Sequence, residues 1–175
     1  AVVNKLAEKE IADIIYRYGE ERASRKIAKA IVDLRQKTPI IRPAQLADLV
    51  RRVVSKSKDG IDPATRTFQA LRIYVNDELG ELARGLLAAE SLLGAGGRLV
   101  VVSFHSLEDR QVKEFLQQRS GLGPKPSRHL PAAPGKAPDP TFRVLTCRVV
   151  KPSARETAAN PRARSAKLRA GERTR

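Results

Sequence analysis

The sequence predicts an α/β protein in which an all-helical segment precedes a sheet. Three observations lead there. The first sixty residues repeat apolar side chains at helical spacing and hold no strand pattern. An unbroken apolar run, "RLVVVSF" at 98–104, lies between two helical patterns. Two further strand-like runs follow it, "TFRVLTCRVV" at 141–150 and "SAKLRAG" at 165–171.

The elements follow in order. Residues 5–18, "KLAEKEIADIIYRY", place Leu6, Ile11, Ile14, Ile15 and Tyr18 on one helical side, and Gly19 ends the pattern. In "EERASRKIAKAIVDLRQK" (20–37), Ala23, Ile27, Ile31 and Leu34 share a face, and Arg22, Arg25, Lys26 and Lys29 lie on the other. Thr38-Pro39 stops this helix. Pro43 suits a first helical turn, and Leu46, Leu49, Val50 and Val53 continue the period. The polar stretch "SKSKDGIDP" marks a boundary, so residues 1–62 are expected to form a helical domain and 63–175 the sheet domain. Asp62 and Pro63 read as the N-cap and first position of a long helix reaching Leu93, with an irregularity expected near Gly80 or Gly85. Gly94, Gly96 and Gly97 end it. After the 98–104 strand, a helix over 107–119 turns Leu107, Val112, Phe115 and Leu116 inward. Residues 120–140 hold most of the prolines and are expected to form a mobile loop. The chain closes on a basic arm, "NPRARSAKLRAGERTR".

A strand of unbroken Val and Leu between two helices belongs inside a parallel or mixed sheet, covered on both faces and paired on both edges. Only two other strand candidates exist, and both come later. Its remaining partners are expected from a segment outside this chain, as the opening without Met also suggests.

Lys and Arg outnumber Asp and Glu by 34 to 19, a formal charge of +15 that calls for a polyanion; RNA, DNA and an anionic membrane all qualify. Helix charges are most often plain solvation, which weighs against the helical face and in favour of the C-terminal arm. No apolar run approaches the length of a membrane span, and no signal peptide is visible, so a cytoplasmic protein without membrane contact is expected. The single Cys147 excludes an internal disulfide and a Cys-based zinc site, and no metal is expected.

The stretch "GGRLVVVSFHSLEDRQVKEF" (96–115) resembles the RsmH (MraW) ribosomal RNA methyltransferases. So, in the family's order, do "YGEERASRKIAKAIV", "PATRTFQALRIYVNDELGEL", "FRVLT" and "NPRARSAKLR". The resemblance implies methyl transfer from S-adenosylmethionine to the exocyclic N4 of a cytidine in 16S ribosomal RNA near the decoding centre. It implies a class I (Rossmann-like) methyltransferase sheet with an inserted helical, substrate-recognition domain. Residues 98–104 would be the fifth strand of that sheet and the two later runs its last two. The family's Gly-rich cofactor loop, its acidic ribose-binding residue and its DLGVSSPQ-type stretch all precede the point where this chain begins. Hence no cofactor-binding residue is assigned here, and the 175-residue chain alone is expected to be inactive and not to bind the cofactor. The partner is 16S ribosomal RNA or the small subunit, and a homo-oligomer is left open.

Ligands of open α/β sheets sit outside the carboxyl ends of the strands. Ser103, His105 and Ser106 lie at such an end and are candidates for orienting the flipped base or its phosphate. Ser106, Glu108 and Asp109 also suit helix capping and a first-turn dipole, and the two readings stand side by side. His105 is favoured as functional because a cap does not call for an imidazole. A Ser/His pair also occurs in hydrolases, but no nucleophile-elbow pattern surrounds this one. Asn76 and Glu78, in a stretch matching the family, either support the active-site wall or are simply solvated. Thr65, Arg66, Thr67 and Gln69 are placed near the domain junction. Arg22, Arg25, Arg66, Arg162, Arg164 and Lys167 are the RNA-binding candidates, with sequence-blind grip on phosphate. Few aromatics are candidates for base stacking: Phe104, Tyr16, Tyr18 and Tyr74. The competing class is a non-catalytic RNA- or ribosome-binding protein, which would have no use for a buried Val run ending in Ser-Phe-His-Ser.

Overall fold

The computed structural model describes residues 2–54, 62–122 and 139–175 and has two compact units, Ala1–Glu78 and Leu79–Arg175. The expected 120–140 loop falls, for residues 123–138, outside the described residues.

The first unit consists of α1 (Val2–Lys5), α2 (Glu8–Gly19), α3 (Ser24–Lys37), α4 (Pro43–Val53) and α5 (Pro63–Asn76). Its core is the set of apolar residues that the helical spacing selects. Ile11, Ile15, Ile27, Ala28, Ile31 and Val50 are wholly buried, with Ile14, Leu46 and Leu49 nearly so. Helix α2 packs on α3 and on α5, and α4 packs on α3 and α5. A Cβ added to Gly19 would stand 2.7 Å from the Arg66 carbonyl oxygen, so glycine is what lets the end of α2 abut the α5 backbone. Asp62 caps α5 by accepting the Ala64 N–H at 2.9 Å.

Two expectations are corrected here. The compact unit runs on to Glu78 and does not stop at 62, because α5 packs against α2 and α4. The long helix breaks at Asp77, which adopts a left-handed φ of 49°, and not at Gly80 or Gly85. Aspartate tolerates that conformation better than most residues, and nothing crowds Gly85, where an added Cβ would meet open space.

The second unit holds α6 (Glu78–Leu92, of which Glu78 belongs to the first unit), β1 (Arg98–Ser103), α7 (Ser106–Arg119), β2 (Phe142–Val144), α8 (Ala154–Ala159), a 3-10 turn (Pro161–Ser165) and β3 (Lys167–Arg173). Three strands pair in the order β1-β3-β2. β3 is antiparallel to both neighbours, with Ser103 opposite Lys167 and Phe142 opposite Arg173. β1 and β2 therefore run parallel to each other, joined through α7, and the last strand is inserted between them. The C-terminal arm is thus the central strand. An isolated bridge joins Val150 to Leu168.

One face of this sheet is packed. Leu99 and Val101 lie against a cluster of Leu86, Val112, Phe115, Leu116 and Phe142. The Phe115 and Phe142 rings meet edge to face at 5.8 Å. Gly171 admits α7 to this face, since an added Cβ would fall 2.7 Å from Leu116 Cδ2. Glu90 of α6 ties the packed layers together. It accepts Thr141 Oγ1 at 2.6 Å and Arg119 Nε at 2.8 Å, and Arg173 stands 3.7 Å away. Burial alone would raise the Glu90 pKa, but these hydrogen bonds and charges outweigh it and hold the carboxyl below its usual range.

The other face is largely exposed in this chain. Val100, Val102 and Phe104 are 55%, 50% and 58% exposed, and β1 is an edge strand. Side chains alternate across the pleat, so α6 and α7 can cover only the alternate set. On that outer face Ala170, opposite Val100, is buried beside Thr146.

Candidate functional site: the polar end of β1

Beyond Ser103 the chain turns into α7 within two residues, and backbone groups dictate how. His105 is the N-cap, with extended dihedrals, and its Nδ1 accepts the Glu108 N–H at 3.3 Å. Glu108 reaches back, its Oε2 accepting the N–H of Phe104 at 2.9 Å and of His105 at 3.3 Å. This is a capping box built on histidine. The expected N-cap, Ser106, is instead the first helical residue. The premise that a cap would not use an imidazole is overturned, because Nδ1 is an acceptor of the kind a cap requires. An Nδ1 that accepts leaves the proton of the neutral ring on Nε2, which stands 3.2 Å from Glu108 Oε1. The His105 ring is thus held at both nitrogens by Glu108, Nδ1 by its backbone N–H and Nε2 beside its carboxylate.

The neighbours are equally fixed. Ser103 is buried and its hydroxyl donates to the Lys167 carbonyl at 3.3 Å. Asp109 accepts Arg169 Nε at 2.6 Å and Nη2 at 3.3 Å, and Lys167 Nζ lies 3.5 Å off. Burial would raise the Asp109 pKa, yet the Arg169 hydrogen bonds and the charges of Arg169 and Lys167 more than offset it and hold the carboxyl below its usual range. The first turn of α7 is thus clamped onto the first residues of β3. Phe104 projects from this fixed turn with its ring exposed.

The remaining candidates are dispersed. Lys167, expected to grip phosphate, sits in the central strand and pairs with Asp109. Arg162 and Arg164 are exposed on the 3-10 turn. Arg22 and Arg25 are exposed at and just before the start of α3. Arg66 stands 3.9 Å from Glu21. Asn76 and Glu78 flank the Asp77 turn, where Asn76 Nδ2 donates to Glu78 Oε1 at 3.3 Å and Arg72 Nε to the same oxygen at 2.7 Å. Thr65 and Gln69 line an open cleft of about 430 Å³ in the helical unit, together with Arg51, Phe68 and Arg72. Thr67 is wholly buried. Sequence reasoning missed the clamp by Arg169, whose partner lies sixty positions away in the chain.

The structure brings Ser103, His105, Ser106, Glu108 and Asp109 together in one rigid turn. The glycines at 94–97 serve the turn into β1, where Gly97 N–H donates to the Gly94 carbonyl at 2.9 Å and Gly96 N–H to the Arg173 carbonyl at 2.8 Å. Among the described residues no helix is long and apolar enough to cross a membrane.

Comparison with known proteins agrees with the resemblance seen in the sequence. The MraW methylase family matches residues 1–174. This chain belongs to that family. It is 67% identical over 173 residues to the ribosomal RNA small subunit methyltransferase H of Rhodospirillum centenum, with 99% of this chain and 52% of that protein covered. It is 61% identical over 173 residues to the protein of the same name from Paramagnetospirillum magneticum, covering 99% of this chain and 54% of the relative. The chain therefore spans about half the length of the curated relatives it matches.

Proposed function

We propose that this chain is the C-terminal half of an S-adenosylmethionine-dependent methyltransferase that modifies N4 of a cytidine in 16S ribosomal RNA. The observation that carries the reading is the family match over residues 1–174, joined to a strand whose carboxyl end is a fixed polar wall. The topology supports a class I sheet: β1 and β2 run parallel through a helical crossover, as in wound α/β folds. Further strands in the whole protein pair with the open edge of β1, and helices of that same part cover Val100 and Val102. The relatives' additional length supplies the candidates for both.

The cofactor supplies an electrophilic methyl group. This chain's residues supply position. An exocyclic cytosine amine is a weak nucleophile because its lone pair is delocalised, so holding it in line is the larger contribution to rate. The Phe104 ring offers a stacking face, the Ser106 hydroxyl a hydrogen-bonding group, and the His105 imidazole, held in place by Glu108, orients the base beside them. Arg22, Arg25, Arg66, Arg162 and Arg164 attract the phosphates of the small-subunit RNA. The 175-residue chain alone binds no cofactor in this reading, which calorimetry with S-adenosylmethionine checks; micromolar binding would contradict it.

The test of the activity uses the full-length protein, labelled S-adenosylmethionine and undermethylated small subunits or their 16S RNA, followed by nucleoside mass spectrometry. N4-methylcytidine is the expected product. Binding of the RNA without any transfer of label would favour the non-catalytic alternative.

A further inference from the structure

The carboxyl end of β1 is bordered by positive charge that the fold leaves unneutralised. At the opposite end of the same sheet, carboxylates match the arginines. Glu172 lies 3.3 Å from Arg98 and 2.7 Å from Arg143, Glu90 serves Arg119 and Arg173, and Asp139 meets Arg175 at 3.2 Å. At the β1 carboxyl end, Lys167 and Arg169 share Asp109. The excursion that leads into β3 is different. Arg148, Lys151, Arg155, Arg162 and Arg164 are all exposed, and among the described residues no carboxylate pairs with any of them. Glu156 is the single acidic residue between 148 and 164.

Topology places this excursion beside the polar turn. Val150 pairs with Leu168, and Leu168 pairs on its other side with Val102 of β1. The chain therefore departs next to the second residue of β3 and returns at Lys167, which lies opposite Ser103. Arg148 and Lys151 flank the point of departure. Arg155 is on α8, and Arg162 and Arg164 are on the 3-10 turn that packs with α8. The ordered excursion makes a basic ledge at the sheet end where His105 sits.

We propose that Arg148, Lys151 and Arg155, together with Arg162 and Arg164, form a ledge that grips the RNA sugar-phosphate backbone next to the nucleotide presented to the β1 wall. Five exposed cations on a short excursion suit the charge of a run of phosphates, a contact that positions the strand without reading its sequence. The ledge supplies affinity and registration, and leaves sequence choice to the turn. This rests on the methyltransferase reading for its substrate, but its test does not.

The test compares the full-length protein with a triple variant, R148Q/K151Q/R155Q. Binding of a fluorescent single-stranded RNA of small-subunit sequence is followed by anisotropy from low to moderate salt. Each lost phosphate contact on a single strand lowers the slope of log Kd against log salt by about 0.7, so the triple variant should lose about 2. A matched control, K9Q/R17Q/K37Q, removes the same charge from exposed sites of the helical unit and should leave the slope within about 0.5 of wild type. Restoring charge with R148K/R155K, Lys151 left intact, should restore the slope, which separates charge from folding. A triple variant with wild-type slope overturns the ledge, even if the enzyme methylates RNA. If the wild type binds RNA through the ledge but transfers no methyl group, the ledge stands and the catalytic reading falls.

Discussion

In the helical unit Ile11, Ile15, Ile27 and Ile31 are wholly buried, whereas in the sheet unit Val100, Val102 and Phe104 each keep half or more of their surface exposed. Both sets are equally apolar in sequence, and the difference is one of cover. Five helices packed round a common stripe close a core by themselves. A three-stranded sheet with helices on one face cannot, because alternate side chains of every strand point the other way. The first unit closes its own hydrophobic core. The second packs one face of its three-stranded sheet and ties the strand ends to the helices with ion pairs.

The comparison breaks first if the helical core proves dispensable. Ile27→Ala empties a wholly buried site and should cost about 2–5 kcal/mol, read by denaturant melts of the full-length protein. Next comes Asp109→Asn, which leaves Arg169 and Lys167 without their carboxylate. With both arginine and aspartate side chains largely buried, a loss of about 2–4 kcal/mol at neutral pH is expected. The sign with pH is fixed. Asp109 and Glu90 titrate below their unfolded range, so their contribution is full above that range and is lost as pH falls through the folded values. Wild type should therefore lose stability steeply in acid, and the Asp109→Asn variant should show a shallower acid limb. The smallest effect is the sharpest. Val102→Ser should change the stability of this chain alone by less than about 1 kcal/mol, its site being half exposed, but cost more in the full-length protein, where the proposed fold covers the outer face. Equal costs in the two proteins would mean that the face stays open.

Much of this was legible because periodicity reports burial directly. The stripe of Ile11, Ile14, Ile15, Ile27 and Ile31 names the helical core, and Asp62-Pro63 names the start of α5. The break at Asp77 was not, because glycine is the usual mark of a left-handed residue and Gly80 and Gly85 stood nearby as decoys. The cap at His105 was hidden by Ser106, a commoner N-cap, although the three-residue spacing from His105 to Glu108 was the signal for the correct register. The triple Val run announced burial, but no sequence pattern says which segment covers it. Nor could Lys167 and Arg169 be told from tail cations, since their partner Asp109 is joined to them only by the fold.

The central claim is that the turn after β1 belongs to the methyl-transfer site and is not merely a well-capped helix start. Two substitutions of His105 in the full-length protein separate these roles. His105→Ala removes both the cap and the imidazole, while His105→Asn keeps a side-chain acceptor at the N-cap. Methyl transfer to small-subunit RNA, measured beside the thermal melt of each variant, is the decisive measurement. The account predicts that the Asn variant melts within about 2 °C of wild type, as expected for a change well under 1 kcal/mol, yet transfers methyl groups at least about tenfold more slowly. An Asn variant with both wild-type melting and wild-type transfer would contradict it.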